Sequence, residues 1–179
     1  MDIDIEKELE QLKKKVAKLE KNRQDQLSIA IVSGDMDKVL ATMIISLAAA
    51  ASDTKVKLFF SFWALSALRD PKKSAKGKNF ISTMFGWMLP KGRNKLKLSK
   101  MNMMGMGAKM MKKRMLAKKV DSLEDMLQTA MGNGVQMIAC QMSMDVMGVD
   151  KEELMEGVEI GGVATYLEEA DQSNLNLFI

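Results

Sequence analysis

The fold of this chain is decided by the stretch Val135-Gln136-Met137-Ile138-Ala139-Cys140-Gln141-Met142-Ser143-Met144-Asp145-Val146-Met147-Gly148. Its pattern predicts a buried strand, Val135 to Ala139, that leads directly into Cys140, with a helical turn beginning at Gln141. In an open parallel sheet, ligands and reactive groups collect where strands end and helices begin. The N–H groups of such a helix favour a cysteine thiolate over the thiol. The stretch therefore predicts thiol chemistry at Cys140 without a second cysteine.

A lone cysteine after an apolar strand also has a plainer interpretation. Cysteine is a small apolar residue that often packs in a core without reacting. A packing role alone does not require a helix to begin directly after Cys140, so the junction itself favours the reactive interpretation. On the sequence alone, both interpretations stay open.

Composition limits the chemistry that the chain can perform. The chain has 179 residues, 47% of them hydrophobic, which suits one compact domain with an appendage. A single cysteine excludes an internal disulfide and any multi-cysteine metal site. Because histidine is absent, one chain cannot carry a Ser-His-Asp, Cys-His or histidine–metal mechanism. We expect neither a cofactor nor a resident metal.

The sequence predicts a cytoplasmic protein. The apolar run Val39 to Ala51 is too short to span a bilayer, and the charged N-terminus lacks the apolar core of a signal peptide. A reducing compartment is also consistent with a working free thiol.

Charge is distributed very unevenly along the chain. Residues 71–120 hold fifteen Lys and Arg and no Asp or Glu, whereas the rest holds 12 basic and 23 acidic residues. Such a block is typical of a surface for an anionic partner, for a neighbouring subunit's acidic face, or for solvent. Peripheral contact with a membrane surface is one such possibility. Nucleic acid is not expected, because no reading motif accompanies the block and the acidic remainder would repel phosphate.

The same basic segment is rich in methionine. Phe80 to Leu89 is amphipathic, and Met101 to Met115 combines methionine with a basic face, which suits adaptable contacts. We expect the segment to be partly ordered by oligomer contacts and to form a lid beside Cys140. Copper(I) is a further hypothesis, since thioethers select that ion, although adaptable packing explains the same four residues: Met101, Met103, Met104 and Met106.

The N-terminal residues predict a helix from Met1 to about Gln26 with a short heptad seam. This segment, residues 1–26, is an assembly element that pairs with another subunit or docks on its own domain. The seam consists of Ile5, Leu9, Leu12, Val16 and Leu19.

Residues 27–179 alternate apolar strands with helices, which predicts a layered α/β/α domain with a mostly parallel five-stranded sheet. Residues 71–120 interrupt this alternation as an insertion. The remaining strand candidates are Leu27 to Val32, Lys55 to Phe60, Val158 to Ile160 and Asn174 to Ile179.

Several residues are predicted to lie at the same edge of the sheet as Cys140. Ser33-Gly34-Asp35 ends the first strand and serves mainly as a helix cap that could also present N–H groups to an anion. The second strand ends in an aromatic cluster that fills core or walls an apolar pocket, and its members are Phe59, Phe60, Phe62 and Trp63. Gly161-Gly162 opens a helix after the fourth strand. The candidate pocket therefore comprises Ser33, Gly34, Asp35, Phe62, Trp63, Gln141, Ser143, Gly161 and Gly162.

Together these motifs resemble the DsrE/DsrF/DsrH-like sulfur-relay superfamily, in its branch of DsrE-type, peroxiredoxin-like sulfurtransferases. The resemblance covers about Leu27 to Ile179. It is carried by the run from Ala139 to Gly148 and by Ser33-Gly34-Asp35-Met36-Asp37-Lys38, Phe59-Phe60-Ser61-Phe62-Trp63, Lys95-Leu96-Lys97-Leu98-Ser99-Lys100-Met101-Asn102-Met103 and Gly161-Gly162-Val163-Ala164-Thr165-Tyr166-Leu167.

This resemblance implies a flavodoxin-like α/β/α fold, a homo-oligomer, and a sulfur carrier or sulfurtransferase. Cys140 would accept sulfane sulfur as a persulfide or thiosulfonate and yield it to a partner thiol. Peroxide reduction fits less well, because its motif with supporting Thr and Arg is absent. Whether the chain is an enzyme stays open. The alternative is a non-enzymatic oligomeric adaptor that docks to a membrane surface or an acidic partner through residues 71–120.

Overall fold

A computed structural model describes residues 2–22, 25–74, 84, 86 and 88–179, and in the first helix the side chains of residues 5 and 7–16. Its described strands form one five-stranded sheet in the order β4-β3-β2-β1-β5, with every neighbouring pair parallel. The strands are β1 Gln26–Ile31, β2 Lys55–Phe60, β3 Gln136–Cys140, β4 Glu159–Gly161 and β5 Leu175–Phe178.

Helices connect these strands, which confirms the predicted α/β class and the five-stranded parallel sheet. They are α1 Asp2–Asn22, α2 Met36–Ala50, α3 Leu65–Leu68, α4 Met106–Ala117, α5 Leu123–Gly132, α6 Gln141–Met147 and α7 Val163–Asp171. Short 3-10 turns occur at Phe62–Ala64, Arg93–Lys95, Met103–Gly105 and Lys151–Glu153.

The two faces of the sheet are covered very differently. Because side chains alternate along a strand, neighbouring residues of β3 face opposite ways. Met137 and Ala139 belong to a large core shared with α2 and α5. Ile138 and Cys140 belong to a small core on the other face, which Tyr166 of α7 packs against. We call these the larger core and the smaller core.

The helices over the larger core follow from their apolar spacing. Helix α5 buries Leu123, Met126, Leu127 and Ala130, a three- and four-residue pattern that forms one helical stripe. The Ser122 hydroxyl accepts a hydrogen bond from the N–H of Asp125, as expected of a helix-capping serine.

Part of the basic segment also packs on the larger core. Leu96 and Ala108 are buried there, and the Arg93 guanidinium makes two contacts with the Glu124 carboxylate of α5. The Lys97 carbonyl accepts a hydrogen bond of 2.7 Å from the N–H of Met36. Within residues 71–74, 84, 86 and 88–120, the segment thus packs on the opposite face from Cys140, and the expected lid is not formed there. The predicted amphipathic stretch Phe80 to Leu89 lies mostly outside the described residues.

A buried ion pair ties the end of α3 to the turn before β4. Arg69 donates to the Glu153 carboxylate over 3.2 Å, and its other terminal nitrogen donates to the Gly86 carbonyl over 2.9 Å. Both charged side chains are almost fully buried. The pair holds the residue after α3 against the turn before β4.

Helix α1 stands apart from both cores. In the described residues, neither core includes a residue of α1. No helix in the described part of the chain combines the length and apolarity needed to cross a membrane.

Candidate functional site

Cys140 is the last residue of β3 and the residue immediately before α6. Its backbone is extended, with φ −68° and ψ 114°, so the strand geometry persists to the cysteine. Alternation along the strand directs its side chain into the smaller core, while α6 packs Met144 and Met147 into the larger core. The thiol and the helix that follows it are therefore on opposite faces of the sheet.

After the neighbouring strand β4, the chain turns toward the opposite face of the sheet from the one that it takes after β3. The following helix α7 lies over the smaller core, where Tyr166 packs. The chain thus turns to one face after β3 and to the other after β4. In open α/β sheets, such a reversal opens a crevice at the carboxyl ends of the two strands, where ligands bind.

Cys140 and Gly161 are paired in register at this crevice. A Cβ atom added to Gly161 would lie 2.9 Å from the Cγ2 of Ile138 and 3.4 Å from the side chain of Thr165. The glycine therefore keeps clear a narrow space that any larger residue would enter.

The surroundings of the thiol are apolar. Phe59 is the register partner of Ile138, and its ring stacks at a tilt against Tyr166 with 5.1 Å between ring centroids. These three residues pack around Cys140. Aromatic and aliphatic walls suit a polarizable, weakly hydrated sulfur chain better than a strongly hydrated anion.

Burial of the thiol is complete. Cys140 is 0% exposed, whereas Tyr166 is partly exposed. A reagent therefore reaches the sulfur only when residues of the smaller core move, and Tyr166 is the member of that group closest to solvent.

The sequence-predicted neighbours on α6 do not meet the thiol. The Ser143 hydroxyl is buried and 2.9 Å from the hydroxyl of Ser61. Gln141 is exposed and donates to the Asp145 carboxylate over 2.9 Å. Ser143 thus links α6 to the end of β2, and Gln141 and Asp145 form a solvent-facing pair.

The loops after β1 and β2 meet one another. A Cβ added to Gly34 would lie 2.5 Å from the Trp63 carbonyl oxygen, so close approach of the loops requires glycine there. Ser33 donates to the Asp35 carboxylate over 2.9 Å. Phe62 packs against the larger core, and Trp63 is 56% exposed. These residues share the carboxyl edge of the sheet with Cys140 but do not belong to the smaller core.

Gly162 is the residue before the first turn of α7 and accepts a hydrogen bond of 3.3 Å from the N–H of Tyr166. It thus orients the helix that carries the aromatic ring over the thiol. Of the predicted pocket, Gly161 is the register partner of Cys140, and Gly162 follows it in the chain.

Sequence reasoning missed two residues that surround the thiol, Ile138 and Tyr166, whereas Phe59 belongs to the aromatic cluster predicted at this edge of the sheet. Strand periodicity contains part of this signal, since Ile138 lies two positions before Cys140 and must share its face. The pairing of Phe59 with Ile138 and the position of Tyr166 depend on strand register and helix placement.

A cavity of about 450 Å³ lies elsewhere, on the side of the larger core. Burial there lowers the pKa of Lys112, whose ammonium donates to the Asn94 carbonyl over 2.6 Å. Its apolar lining consists of Met36, Leu40, Met115, Leu116, Val120 and Leu123.

These features describe an open parallel α/β protein with one cysteine at the crevice between two strands. The sequence matches the model of the DsrE/DsrF/DrsH-like family over residues 23–178, and the chain belongs to this family.

Two relatives cover most of the chain. Protein YrkE of Bacillus subtilis is 42% identical over 152 residues, which is 85% of this chain and 95% of YrkE. The sulfur carrier protein DsrE2 of Allochromatium vinosum is 34% identical over 163 residues, which is 87% of this chain and 99% of DsrE2. The crystal structure of YchN from E. coli aligns with a TM-score of 0.52 at 12% identity, over 87% of this chain and all of YchN. This last likeness shows the fold.

Proposed function

We propose that this chain is a sulfur carrier that binds sulfane sulfur on Cys140 and passes it to the thiol of a partner protein. The observation that carries the proposal is the position of the only cysteine, in register with Gly161 at the strand crevice and walled by apolar side chains. Family membership and the 34% identity to a sulfur carrier support a sulfur-relay role.

Loading is a thiol exchange on sulfur. The Cys140 thiolate attacks the outer sulfur of a donor persulfide R–S–SH, a new S–S bond forms, and the donor S–S bond breaks. Cys140 then holds S–SH, and the donor leaves as the thiolate RS⁻. With tetrathionate, the same attack leaves a thiosulfonate on Cys140 and releases thiosulfate.

Unloading reverses this pattern. A partner thiolate attacks the outer sulfur of the Cys140 persulfide, takes it as its own persulfide, and leaves the Cys140 thiolate. The chain has no other cysteine to resolve the persulfide internally, so the acceptor is an external thiol. The partners of this cycle are sulfur donors and acceptors, which are either proteins or small sulfane compounds. We also propose that the chain forms a homo-oligomer and works in the reducing cytoplasm.

Mass spectrometry of the intact native protein tests the proposal. After incubation with polysulfide or tetrathionate, the wild type should gain a mass of added sulfur or thiosulfonate that dithiothreitol removes. Cys140→Ser should gain no such mass. Ser143→Ala should load like the wild type, because the hydroxyl that it removes contacts Ser61 and does not contact the thiol. Equal loading of Cys140→Ser, or an unloaded wild type, would contradict the proposal.

A non-enzymatic adaptor is the second candidate, favoured by two observations. The thiol is fully buried, and the basic segment presents exposed methionines beside its lysines. Met101, Met103 and Met106 would supply adaptable contacts to a membrane surface or an acidic partner. Alkylation of the native protein separates the candidates, because a carrier thiol must be reachable by a reagent while the domain stays folded.

A further inference from the structure

The first helix carries an apolar stripe that the domain does not cover. Ile5, Leu9, Leu12 and Val16 fall at spacings of four, three and four, and each is between 50% and 60% exposed. A row of half-exposed aliphatic side chains at this spacing is typical of a coiled-coil seam. The stripe is thus an interaction surface, and its occupant must offer a matching seam.

Charge along α1 is separated into two halves of opposite sign. Residues 2–10 contain five acidic and one basic residue, whereas residues 13–22 contain five basic and one acidic residue. A second copy of α1 that runs in the opposite direction would place each acidic half against a basic half. A copy that runs in the same direction would place halves of like charge side by side.

We propose that α1 pairs with α1 of a second copy of this chain in antiparallel orientation. The heptad positions place Leu9 against Leu12 of the second copy, and Ile5 against Val16, on the seam. Beside the seam, Glu8 faces Lys15 of the second copy. All of these side chains are exposed in the single chain, so pairing buries apolar surface without first breaking a contact with a core.

Charge at single heptad positions does not by itself choose the orientation. In a parallel pair, Glu8 would face Lys13 of the second copy, which is also attractive. The separation of charge along the whole helix and the alignment of helix dipoles both favour the antiparallel pair.

The orientation also determines how far apart the two domains lie. Because 21 residues of helix span about 32 Å, the two domains of an antiparallel pair would lie at opposite ends of the paired helices.

Cysteine cross-linking in the full chain tests the orientation. The background is Cys140→Ser, so that each chain carries one introduced thiol, and differently tagged chains are co-expressed. Ile5→Cys with Val16→Cys should form a covalent dimer on oxidation, because the two positions meet across the antiparallel seam. Val16→Cys alone should not, since its two copies would be separated by about 16 Å along the helix axis.

A charge exchange provides a second measurement with matched composition. Glu8→Lys with Lys15→Glu exchanges both members of the antiparallel contact and should retain the cross-link. Glu8→Lys with Lys13→Glu places lysine against Lys15 of the second copy and should lower the cross-linked fraction about tenfold.

Each outcome of these experiments either supports or overturns the antiparallel pairing of α1. Efficient cross-linking of Val16→Cys alone, or retention only in the Glu8 and Lys13 exchange, shows a parallel pair and overturns the proposal. No cross-link in any combination shows that the two copies do not pair through this stripe and overturns the proposal equally. Since Cys140 is absent from these variants, a failure here leaves the sulfur-carrier proposal untouched.

Discussion

Cys140 and Gly161 are register partners at the carboxyl ends of adjacent parallel strands, and the chain leaves these two ends toward opposite faces of the sheet. One residue supplies the reactive atom, and the other supplies the space beside it. This relationship yields a direct test of the crevice.

Replacing Gly161 with alanine should slow sulfur loading of Cys140 several-fold. The added Cβ would lie 2.9 Å from the Cγ2 of Ile138, so Ile138 must shift within the smaller core. Gly132→Ala is the matched control, because a Cβ there meets no atom within 4 Å. Loading rates by intact-protein mass spectrometry measure the effect, and equal rates for both variants would show that the crevice is not the route to the thiol.

Removing the ring of Tyr166 should expose the thiol. Tyr166→Ala leaves only Phe59 and Ile138 of the smaller core around Cys140 and should accelerate its alkylation by iodoacetamide several-fold under native conditions. Tyr166→Phe retains the ring against Phe59 and should react like the wild type. Leu167→Ala, one position along α7 and exposed, is the control for general loosening of the helix. If Leu167→Ala accelerates alkylation as much as Tyr166→Ala, the ring is not the cover.

The Arg69–Glu153 pair should contribute strongly to stability. Glu153→Ala leaves a buried guanidinium without its carboxylate and should lower the free energy of unfolding by about 3 kcal/mol. Glu156 pairs with Lys73 at 3.8 Å, but its side chain is 95% exposed. Glu156→Ala should therefore leave the urea midpoint unchanged. Similar midpoints for the two variants would contradict the assignment.

Stability should depend on Asp37 at acid pH. Burial alone would raise the pKa of this carboxyl, but hydrogen bonds from the hydroxyl and N–H of Ser99, at 2.6 and 2.8 Å, outweigh burial and hold the pKa below its ordinary value of 3.8. Because the pKa falls on folding, ionised Asp37 stabilises the native state above pH 3.8, and this stabilisation is lost as the pH falls through the folded pKa.

Urea unfolding of wild type and Asp37→Asn between about pH 6 and about pH 2.5 checks this dependence. The wild type should be more stable at the upper end, and the difference should close as the pH falls. Ser99→Ala removes the hydroxyl donor to Asp37. The difference in stability between wild type and Ser99→Ala should also shrink as the pH falls, and it should be smaller than the difference for Asp37→Asn. A difference that is constant across the range would contradict the role of Asp37.

Local periodicity predicted the strands well, because apolar runs such as Lys55 to Phe60 are bounded by clear turns. The predicted strand boundaries differ from the structure by at most one residue, and at β3 this difference matters, because the strand includes Cys140, whereas the pattern ends it at Ala139. That one residue determines which face of the sheet the thiol occupies.

Most of the features that could not be predicted from the sequence depend on how distant segments pack together in the tertiary structure. The charge block suggested an appended segment, yet Leu96 and Ala108 are buried in the larger core. Charge density reflects the exposed face of a segment and does not report its buried anchors. Likewise Trp63 was predicted beside the thiol from chain order, although it is on the loop that Gly34 contacts.

Polar bonds hold α7 to the sheet more than apolar burial does. Within the described chain, α7 has no fully buried residue, and Ser173, just beyond it, is 2.7 Å from the Ser28 hydroxyl. Glu169 accepts from Gln26 and pairs with Lys57. Such a unit opens as a separate cooperative segment, so amides of α7 should exchange with solvent deuterium well before those of α5. Cys140 would then become reachable at the free energy of that partial opening, far below that of unfolding the whole domain.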